Sequence, residues 1–403
     1  MKINIIIIHN NHNNHNNNNR MEEQLYSACR SGNIEGVKRL LASNPQFDPK
    51  YQEDTNWTPL YIACEGGHIE IVKLLLNDQR IDVNKVDHYT KETPFYIACE
   101  SGYVEIVELL LNDERIEVNQ EEGNYKRTPF WIACYYGHIE IVKLLLTDNR
   151  IDINKSNDSD RTPMHIACFK GYVEVVKLLL SDPRIDPNKA RDKCETPFWV
   201  ACEEGYPKII KLLLNDERVD RNIVDEDGWT AFCNACLEGS IEIVKLFLND
   251  KRTDINKTNI FGETPLHVAC SCQDLQIVEY ILASGKEINI NQKNGKGKTV
   301  IDIVREDKNE EKISWQREEM FQKRKRIVGM IAEVLESFER NPNETRFNLR
   351  LKLGLAGNNQ INLFHLFIYL FSNSLFNFLF PYNFKVMMLL IFIHSLFSFQ
   401  MTT

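Results

Sequence analysis

The chain has 403 residues and a formal net charge of −9. This acidic balance argues against nucleic acid as a partner, because nucleic-acid-binding proteins usually carry a basic excess that neutralises phosphates. Length alone favours two or three globular domains. That inference fails if the chain is repetitive, since a repeat array grows without adding separate cores.

Residues 1–20 form a low-complexity segment rich in Asn and His, and Met21 follows it directly. This composition supplies too few apolar side chains for a packed core, so we predict disorder here. Met21 is an alternative start, in which case residues 1–20 are an extension of the gene model. The apolar run 5–8 is too short for the apolar core of a signal peptide.

From residue 21 to about residue 310 the chain repeats one phrase, which is clearest between Thr162 and Leu180. A threonine marks each copy, and these threonines recur at intervals of 34 or 35 residues: Thr58, Thr93, Thr128, Thr162, Thr196, Thr230, Thr264 and Thr299. Counting two atypical ends that act as caps, the array has about nine units. A period of this length is typical of stacked helical repeats.

Each part of the phrase has a physical role. Threonine is a favourable N-cap, and a proline after it suits the first turn of a helix. A glycine such as Gly137 then permits a tight turn into a second helix with a wide apolar stripe. One helix pair cannot bury this stripe alone, so neighbouring units must stack. The linking stretch, as in Asn77–Asn84, is rich in turn residues and predicts a hairpin finger.

The cysteines follow the repeat rather than a metal or disulfide pattern. Eight of the 11 directly follow an alanine of the phrase: Cys29, Cys64, Cys99, Cys134, Cys168, Cys202, Cys236 and Cys270. Thiols about one repeat apart do not reach the Cα separation of roughly 7 Å or less that a disulfide requires. We interpret them as small buried apolar residues in a reducing compartment.

These units resemble the ankyrin repeat, whose phrase is Thr-Pro-Leu-His-x-Ala. The resemblance implies an all-α solenoid of stacked helix pairs with hairpin fingers, here followed by an extra C-terminal helix. In that family the histidine ties a helix to its finger. It is present at His165 and His267, but other copies have Tyr61, Tyr96, Trp131, Trp199 and Cys233. We therefore expect aromatic packing to replace the histidine.

The fingertip glycine of the family is present at Gly228, Gly262 and Gly297. Other fingers carry a different residue there: Asn56, Lys91, Lys126, Asp160 and Cys194. Positive φ is poorly tolerated by lysine, so we expect some of these fingers to adopt another turn type.

No motif predicts catalysis, a cofactor or a metal. Cys233 and Cys236 have metal-ligand spacing, but both occupy positions of the repeat. The run 295–299 resembles part of a phosphate-binding loop, yet Gln292 stands where that loop needs glycine. We therefore predict a protein that is not an enzyme.

Partner specificity is expected where the repeats differ, in the fingers and just before the glycine between the helices, both on the concave face of the array. We predict that aromatic residues there anchor a partner, since aromatic side chains dominate binding hot spots. Flanking glutamates favour a basic or amphipathic partner segment. The alternative is that the rings only cover adjacent helices. The candidate binding residues are Tyr135, Tyr136, Phe169, Lys170, Glu100, Glu203 and Glu204.

Residues 311–355 have the pattern of a charged amphipathic helix that caps the array or docks to a partner. Its apolar stripe comprises Phe321, Val328, Ile331, Leu335 and Phe338. A solenoid must cover its last face, which favours capping.

Residues 356–403 form an apolar tail rich in Phe and Asn. The segment 361–399 contains one charged residue, Lys385, and the run 361–380 is long enough to cross a bilayer. Asparagines within the run and Pro381 argue against a span, so a gene-model artefact or a disordered tail is the competing interpretation.

Two hypotheses follow. In the first, the protein is a cytoplasmic scaffold that binds another protein on the concave face of the array. In the second, the apolar tail tethers the array to a membrane.

Overall fold

The computed structural model describes residues 21–43 apart from residue 22, and residues 57–191, 195–309 and 318–355. These residues are helical or lie in turns, and the β-type pairing among them is an isolated antiparallel bridge between Val224 and Thr230. The chain divides into two compact units, residues 1–265 and 266–403.

In the first unit, short helices alternate in pairs, as the resemblance implies. The first helix of each pair spans Pro59–Glu65, Pro94–Ser101, Pro129–Tyr136, Pro163–Phe169, Pro197–Glu203 or Ala231–Leu237. The second helix spans Ile34–Ser43, Ile69–Leu76, Val104–Leu111, Ile139–Leu146, Val173–Ser181, Pro207–Asn215 or Ile241–Asn249. Residues 23–30 are also helical and precede Ile34–Ser43.

The helix boundaries have the predicted causes. The hydroxyl of Thr58 accepts a hydrogen bond from the backbone N–H of Tyr61 at 3.1 Å, and the threonine before each later first helix of this unit caps in the same way. The inter-helix glycines, such as Gly137 with φ 72°, adopt the left-handed conformation that favours glycine.

The core of the first unit forms because first helices pack against neighbouring first helices, and second helices against neighbouring second helices. The second helix Ile69–Leu76 buries Ile71, Val72 and Leu75, and the same three positions are buried along the unit. The repeat cysteines in the described residues are buried and form no disulfide there. Burial raises the pKa of Cys29 to about 12, so its thiol stays protonated and inert.

A ladder of asparagines joins consecutive repeats. The side chain of Asn154 donates to the carbonyl of Arg184 at 2.7 Å and accepts from the backbone N–H of Asp186 at 2.9 Å, both in the next repeat. The same two bonds are made by Asn84, Asn119, Asn188 and Asn222. Each amide therefore satisfies two backbone groups that would otherwise need water.

In the first unit, an arginine in each linker from residue 77 onward forms the second connection between repeats. The guanidinium of Arg115 donates to the carbonyl of Leu76, at the end of the preceding second helix, at 2.8 Å. Asp113 orients this guanidinium through a bond of 2.6 Å, and the arginine holds the pKa of Asp113 below its usual range. Equivalent bonds to the preceding helix, 2.6–3.1 Å long, are made by Arg80, Arg150, Arg184, Arg218 and Arg252. The linker is thus an inter-repeat connection as well as a turn.

The expectation of another turn type at the lysine fingertips is wrong. Lys91 and Lys126 adopt φ of 61° and 54°, and Asp160 adopts 55°. At the two lysine fingertips, buried carboxylates hold this turn: Asp87, 1 % exposed, accepts from the backbone N–H groups of Tyr89, Thr90 and Glu92. Glu122 holds the Lys126 finger in the same way. Asn56 and Cys194 lie outside the described residues.

The expectation that aromatic packing alone replaces the family histidine also needs correction. The hydroxyl of Tyr61 donates to the carboxylate of Glu92 at 2.8 Å, and the indole of Trp131 donates to the carbonyl of Arg161 at 2.8 Å. His165 bonds the carbonyl of Glu195 in the same place. Tyr61 and Trp131 therefore preserve a polar tie to the next finger.

The second unit starts within helix Pro265–Ser271 and continues with Leu275–Ala283, Val300–Asn309, Glu318–Arg340 and Pro342–Lys352. Helix Glu318–Arg340 packs against Val300–Asn309. It buries the apolar stripe from Val328 to Phe338, while Phe321 is half-buried.

A second C-terminal helix, Pro342–Lys352, was not separately predicted. Asn341 caps it by accepting from the backbone N–H of Glu344, and Pro342 occupies its first turn. Arg346 and Arg350 donate to the carbonyls of Leu282 and Ala283, at the end of helix Leu275–Ala283. In this unit, side chains of the C-terminal helix thus satisfy the end of a second helix.

Replacing Asn154 by Ala removes two hydrogen bonds to the next repeat. At about 1 kcal/mol for each bond, we expect a loss of about 2 kcal/mol in the free energy of unfolding. Urea unfolding followed by far-ultraviolet circular dichroism measures this loss. Asn149→Ala is the matched control, because Asn149 is exposed in the same linker. Equal unfolding midpoints for the two variants would contradict the role of the ladder.

Replacing Lys91 by Gly relieves the left-handed strain, which costs about 1–2 kcal/mol for a residue with a Cβ. Glycine also gains about 0.5–1 kcal/mol of backbone freedom in the unfolded chain, so we expect a net stabilisation of about 0.5–1 kcal/mol. Lys85→Gly, at a position without positive φ, should instead lower the unfolding midpoint. A lower midpoint for Lys91→Gly would show that the turn is not strained.

Candidate functional site

The candidate residues lie at equivalent places in four successive repeats of the first unit, where each first helix ends. Glu100 lies near the end of helix Pro94–Ser101, and Tyr135 with Tyr136 ends Pro129–Tyr136. Phe169 ends the next first helix and Lys170 follows it. Glu203 and Glu204 stand in the corresponding positions one repeat further.

Tyr136 is the most exposed aromatic residue of this group, with 46 % of its surface accessible. Its hydroxyl donates to the carboxylate of Glu100 at 3.2 Å, and its ring stacks on that of His138. Partial burial and the neighbouring Glu100 raise the pKa of Tyr136, so its hydroxyl remains a donor at neutral pH.

Tyr135 is less exposed than Tyr136 and packs against neighbouring side chains. Its ring stacks on Trp131 with centroids 5.5 Å apart, and the ammonium of Lys170 lies 4.4 Å from its centroid. The rings of Tyr135 and Tyr136 meet edge to face at 5.0 Å. The tyrosine pair therefore joins a half-buried ring to an exposed one.

Phe169 is 37 % exposed and lies between two cations. The ammonium of Lys170 is 5.8 Å and the guanidinium carbon of Arg161 is 5.6 Å from its ring centroid. Both distances fall within the range of cation–π attraction. The structure thus connects Tyr135, Lys170 and Phe169 into one surface, as the sequence pattern suggested.

Sequence reasoning missed Arg127 and Arg161. Each directly precedes the capping threonine of its repeat and turns back toward aromatic rings, Arg127 to Tyr125 at 4.2 Å and to Trp131 at 5.6 Å. The available signal was that this position, occupied by glutamate in other repeats such as Glu92, carries the opposite charge in these two copies.

Phe169 and the two glutamates line an open cleft of about 190 Å³. His165 at its edge is neutral, because burial and nearby cations lower its pKa to about 3, and both ring nitrogens contact neighbouring groups. It therefore has a structural role. The cleft is lined by Arg161, His165, Phe169, Arg191, Val200, Glu203 and Glu204.

Some charged residues around the cleft form ion pairs in the described part of the chain and others do not. Arg191 pairs with Glu195. Among the described residues, no salt bridge joins Glu203 or Glu204 to a cation, although the charges of Arg191 and Arg161 act on Glu203 from a longer distance. Lys170 and Arg161 contact aromatic rings. Desolvation, and then the charge of Glu204, raises the pKa of the Glu203 carboxyl.

The sequence motifs that resemble metal or phosphate sites occupy repeat positions in the described part of the chain. It contains no cluster of three His, Cys, Asp or Glu side chains placed to hold a metal ion. Cys233 and Cys236 are buried, and burial raises the pKa of Cys233 to about 11. Gly297 forms a fingertip turn and Thr299 contacts Asp302, as expected for a repeat rather than a phosphate loop.

The helices of the described residues include none whose length and apolar character suit a bilayer crossing. The apolar segment 361–399 and the Asn-rich residues 1–20 lie outside the described residues.

A search of curated proteins returned no match. A family model that describes three consecutive ankyrin repeats matches the chain over four ranges, residues 3–87, 25–122, 116–191 and 198–294. Ankyrin repeats generally mediate protein–protein interaction, and proteins of this family are typically non-enzymatic scaffolds. The match covers more than half of the chain, and it agrees with the threonine-capped helix pairs, the left-handed inter-helix glycines and the finger ties found at His165. The chain belongs to the ankyrin-repeat family.

Proposed function

We propose that this protein is a non-catalytic scaffold that binds another protein on an aromatic patch, defined as Tyr135, Tyr136, Phe169 and Lys170. Glu100 on one side and Glu203 with Glu204 on the other flank the patch. The occupant of this surface is the partner that the array recruits.

One observation carries the proposal: the fold does not need an aromatic residue at the position of Tyr136. Where this repeat has Tyr136, the neighbouring repeats have Ser101, Lys170 and Glu204, and the helix pairs there pack equally well. Exposed aromatic rings at positions where the fold accepts other residues are typical of binding hot spots, because they bury large apolar area with few rotatable bonds.

The proposal is tested on Tyr136, because Tyr135 supports Trp131 and its removal would disturb packing. Full-length protein is used as bait in a lysate of the cells that express it, and retained proteins are quantified by mass spectrometry. We expect Tyr136→Ala to reduce retention of a specific partner by about tenfold, which corresponds to about 1.4 kcal/mol of binding free energy.

Ile139→Ala is the matched control, since Ile139 is also exposed but begins the second helix of the same repeat. It should retain the partner at the wild-type level. Identical retained proteins for wild type and Tyr136→Ala, both with unchanged circular dichroism, would refute the patch as the binding surface.

For the location of the scaffold, the proposal is the cytoplasm, supported by the buried repeat cysteines, which form no disulfide among the described residues. The apolar composition of residues 361–399 supports a second candidate, a membrane-tethered scaffold. Fractionation of the full-length chain and of a chain ending at residue 355 separates them. We expect both to be released by carbonate and high salt, whereas a membrane pellet that retains only the full-length chain would establish the tether.

A further inference from the structure

We propose that the aromatic patch recognises a dipolar peptide segment of its partner. An acidic residue of the segment contacts Lys170 and Arg161, and a basic residue about one repeat away contacts Glu203 and Glu204. The inference rests on the proposed function and specifies the chemistry of the partner.

The positive pole consists of Lys170 and Arg161. Both cations lie over the ring of Phe169, which attracts them without neutralising their charge. Arg161 forms no salt bridge among the described residues, and it precedes the N-cap Thr162, where the helix dipole disfavours a positive charge. Other linker arginines, such as Arg184, are each paired with an aspartate. An incoming carboxylate would complete the pairing of Lys170 and Arg161.

The negative pole consists of Glu203 and Glu204. They are exposed at the end of helix Pro197–Glu203, where the helix dipole disfavours negative charge, and they stand next to each other in the chain. No salt bridge joins either glutamate to a cation in the described part of the chain, although the charges of Arg191 and Arg161 act on Glu203 from a longer distance. Burial and the charge of Glu204 raise the pKa of Glu203, so a cationic side chain of a partner would stabilise its charged form.

The open cleft connects the two poles. Phe169 and Val200 give it apolar surface, and Arg161, Glu203 and Glu204 also line it. A uniformly basic helix would meet Arg161 and Lys170, and a polyanion would meet the two glutamates. A segment carrying both signs is the occupant that satisfies every group.

The spacing of the poles sets the spacing of charges in the partner. Neighbouring packed helices lie about 10 Å apart. An extended peptide spans this distance in about three residues, at about 3.3 Å per residue. A helical peptide requires about seven residues, at about 1.5 Å per residue. The acidic and basic residues should therefore recur at one of these two separations.

A displayed library of random 12-residue peptides, selected on the full-length protein, tests the inference. We expect enriched peptides to share an acidic and a basic residue at one of the two separations. Synthetic peptides of the enriched sequence should bind wild type at least about tenfold more tightly than the Glu203→Lys, Glu204→Lys double variant. Selection on a Lys170→Glu, Arg161→Glu variant should replace the acidic residue by a basic one. Lys143→Glu, an exposed cation on the second helix of a neighbouring repeat, should select the wild-type sequences.

The inference is overturned if wild type enriches no peptides, if enriched peptides carry one sign only, or if both charge-reversed variants select the same peptides as wild type. Circular dichroism checks the fold of each variant. If a reversed variant fails to fold, Glu203→Gln with Glu204→Gln replaces it and should abolish selection of the basic residue. A negative result here combined with partner loss on Tyr136→Ala would reject the dipolar segment and leave the scaffold function standing.

Discussion

The array depends on one physical constraint: the carbonyl groups at the end of each second helix have no partner within their own helix. In the first unit, an arginine of the following repeat supplies that partner, as Arg115 does for Leu76. An aspartate two residues earlier fixes the guanidinium, which also places positive charge at the negative end of the helix dipole. Because donor and acceptor belong to different repeats, the helix of one repeat is completed only when the next repeat is folded. Folding of neighbouring repeats is therefore coupled by polar contacts as well as by the apolar stripe.

Any array of this kind ends at a repeat with no successor. In the second unit, Arg346 and Arg350 of helix Pro342–Lys352 bond the carbonyls of Leu282 and Ala283. Helix Glu318–Arg340 meanwhile covers the apolar side of Val300–Asn309. The two C-terminal helices thus supply, from outside the repeat pattern, the polar and the apolar contacts that a further repeat would provide.

The repeat frame was predictable because it follows from local rules that act identically in every copy. Threonine caps, prolines in the first turn and left-handed glycines occur where the chain pattern places them. The break between the two C-terminal helices was also encoded, as Asn341 followed by Pro342 and Glu344, but it was not recognised. Contacts between residues that are far apart in the sequence could not be predicted from the repeat pattern. The role of Asn154 depends on the backbone of the next repeat, and the effect of Asp87 on Lys91 depends on a folded finger. In the candidate site, the pairing of Tyr135 with Tyr136 followed from adjacency, while the position of Arg161 over Phe169 required coordinates.

The buried carboxylates of the fingers have a consequence for how this surface varies. Where a finger turn relies on glycine alone, its tip is restricted to a residue without a side chain. In this chain Asp87 and Glu122 fix the backbone from beneath, so the residues at the tips of those fingers hold side chains in a conformation that would otherwise exclude them. The left-handed turn therefore depends on the buried carboxylate and no longer on a glycine at the fingertip. Fingertips built in this way are open to substitution by charged or aromatic residues, and a family of such arrays can change its outer chemistry while the turn beneath stays the same.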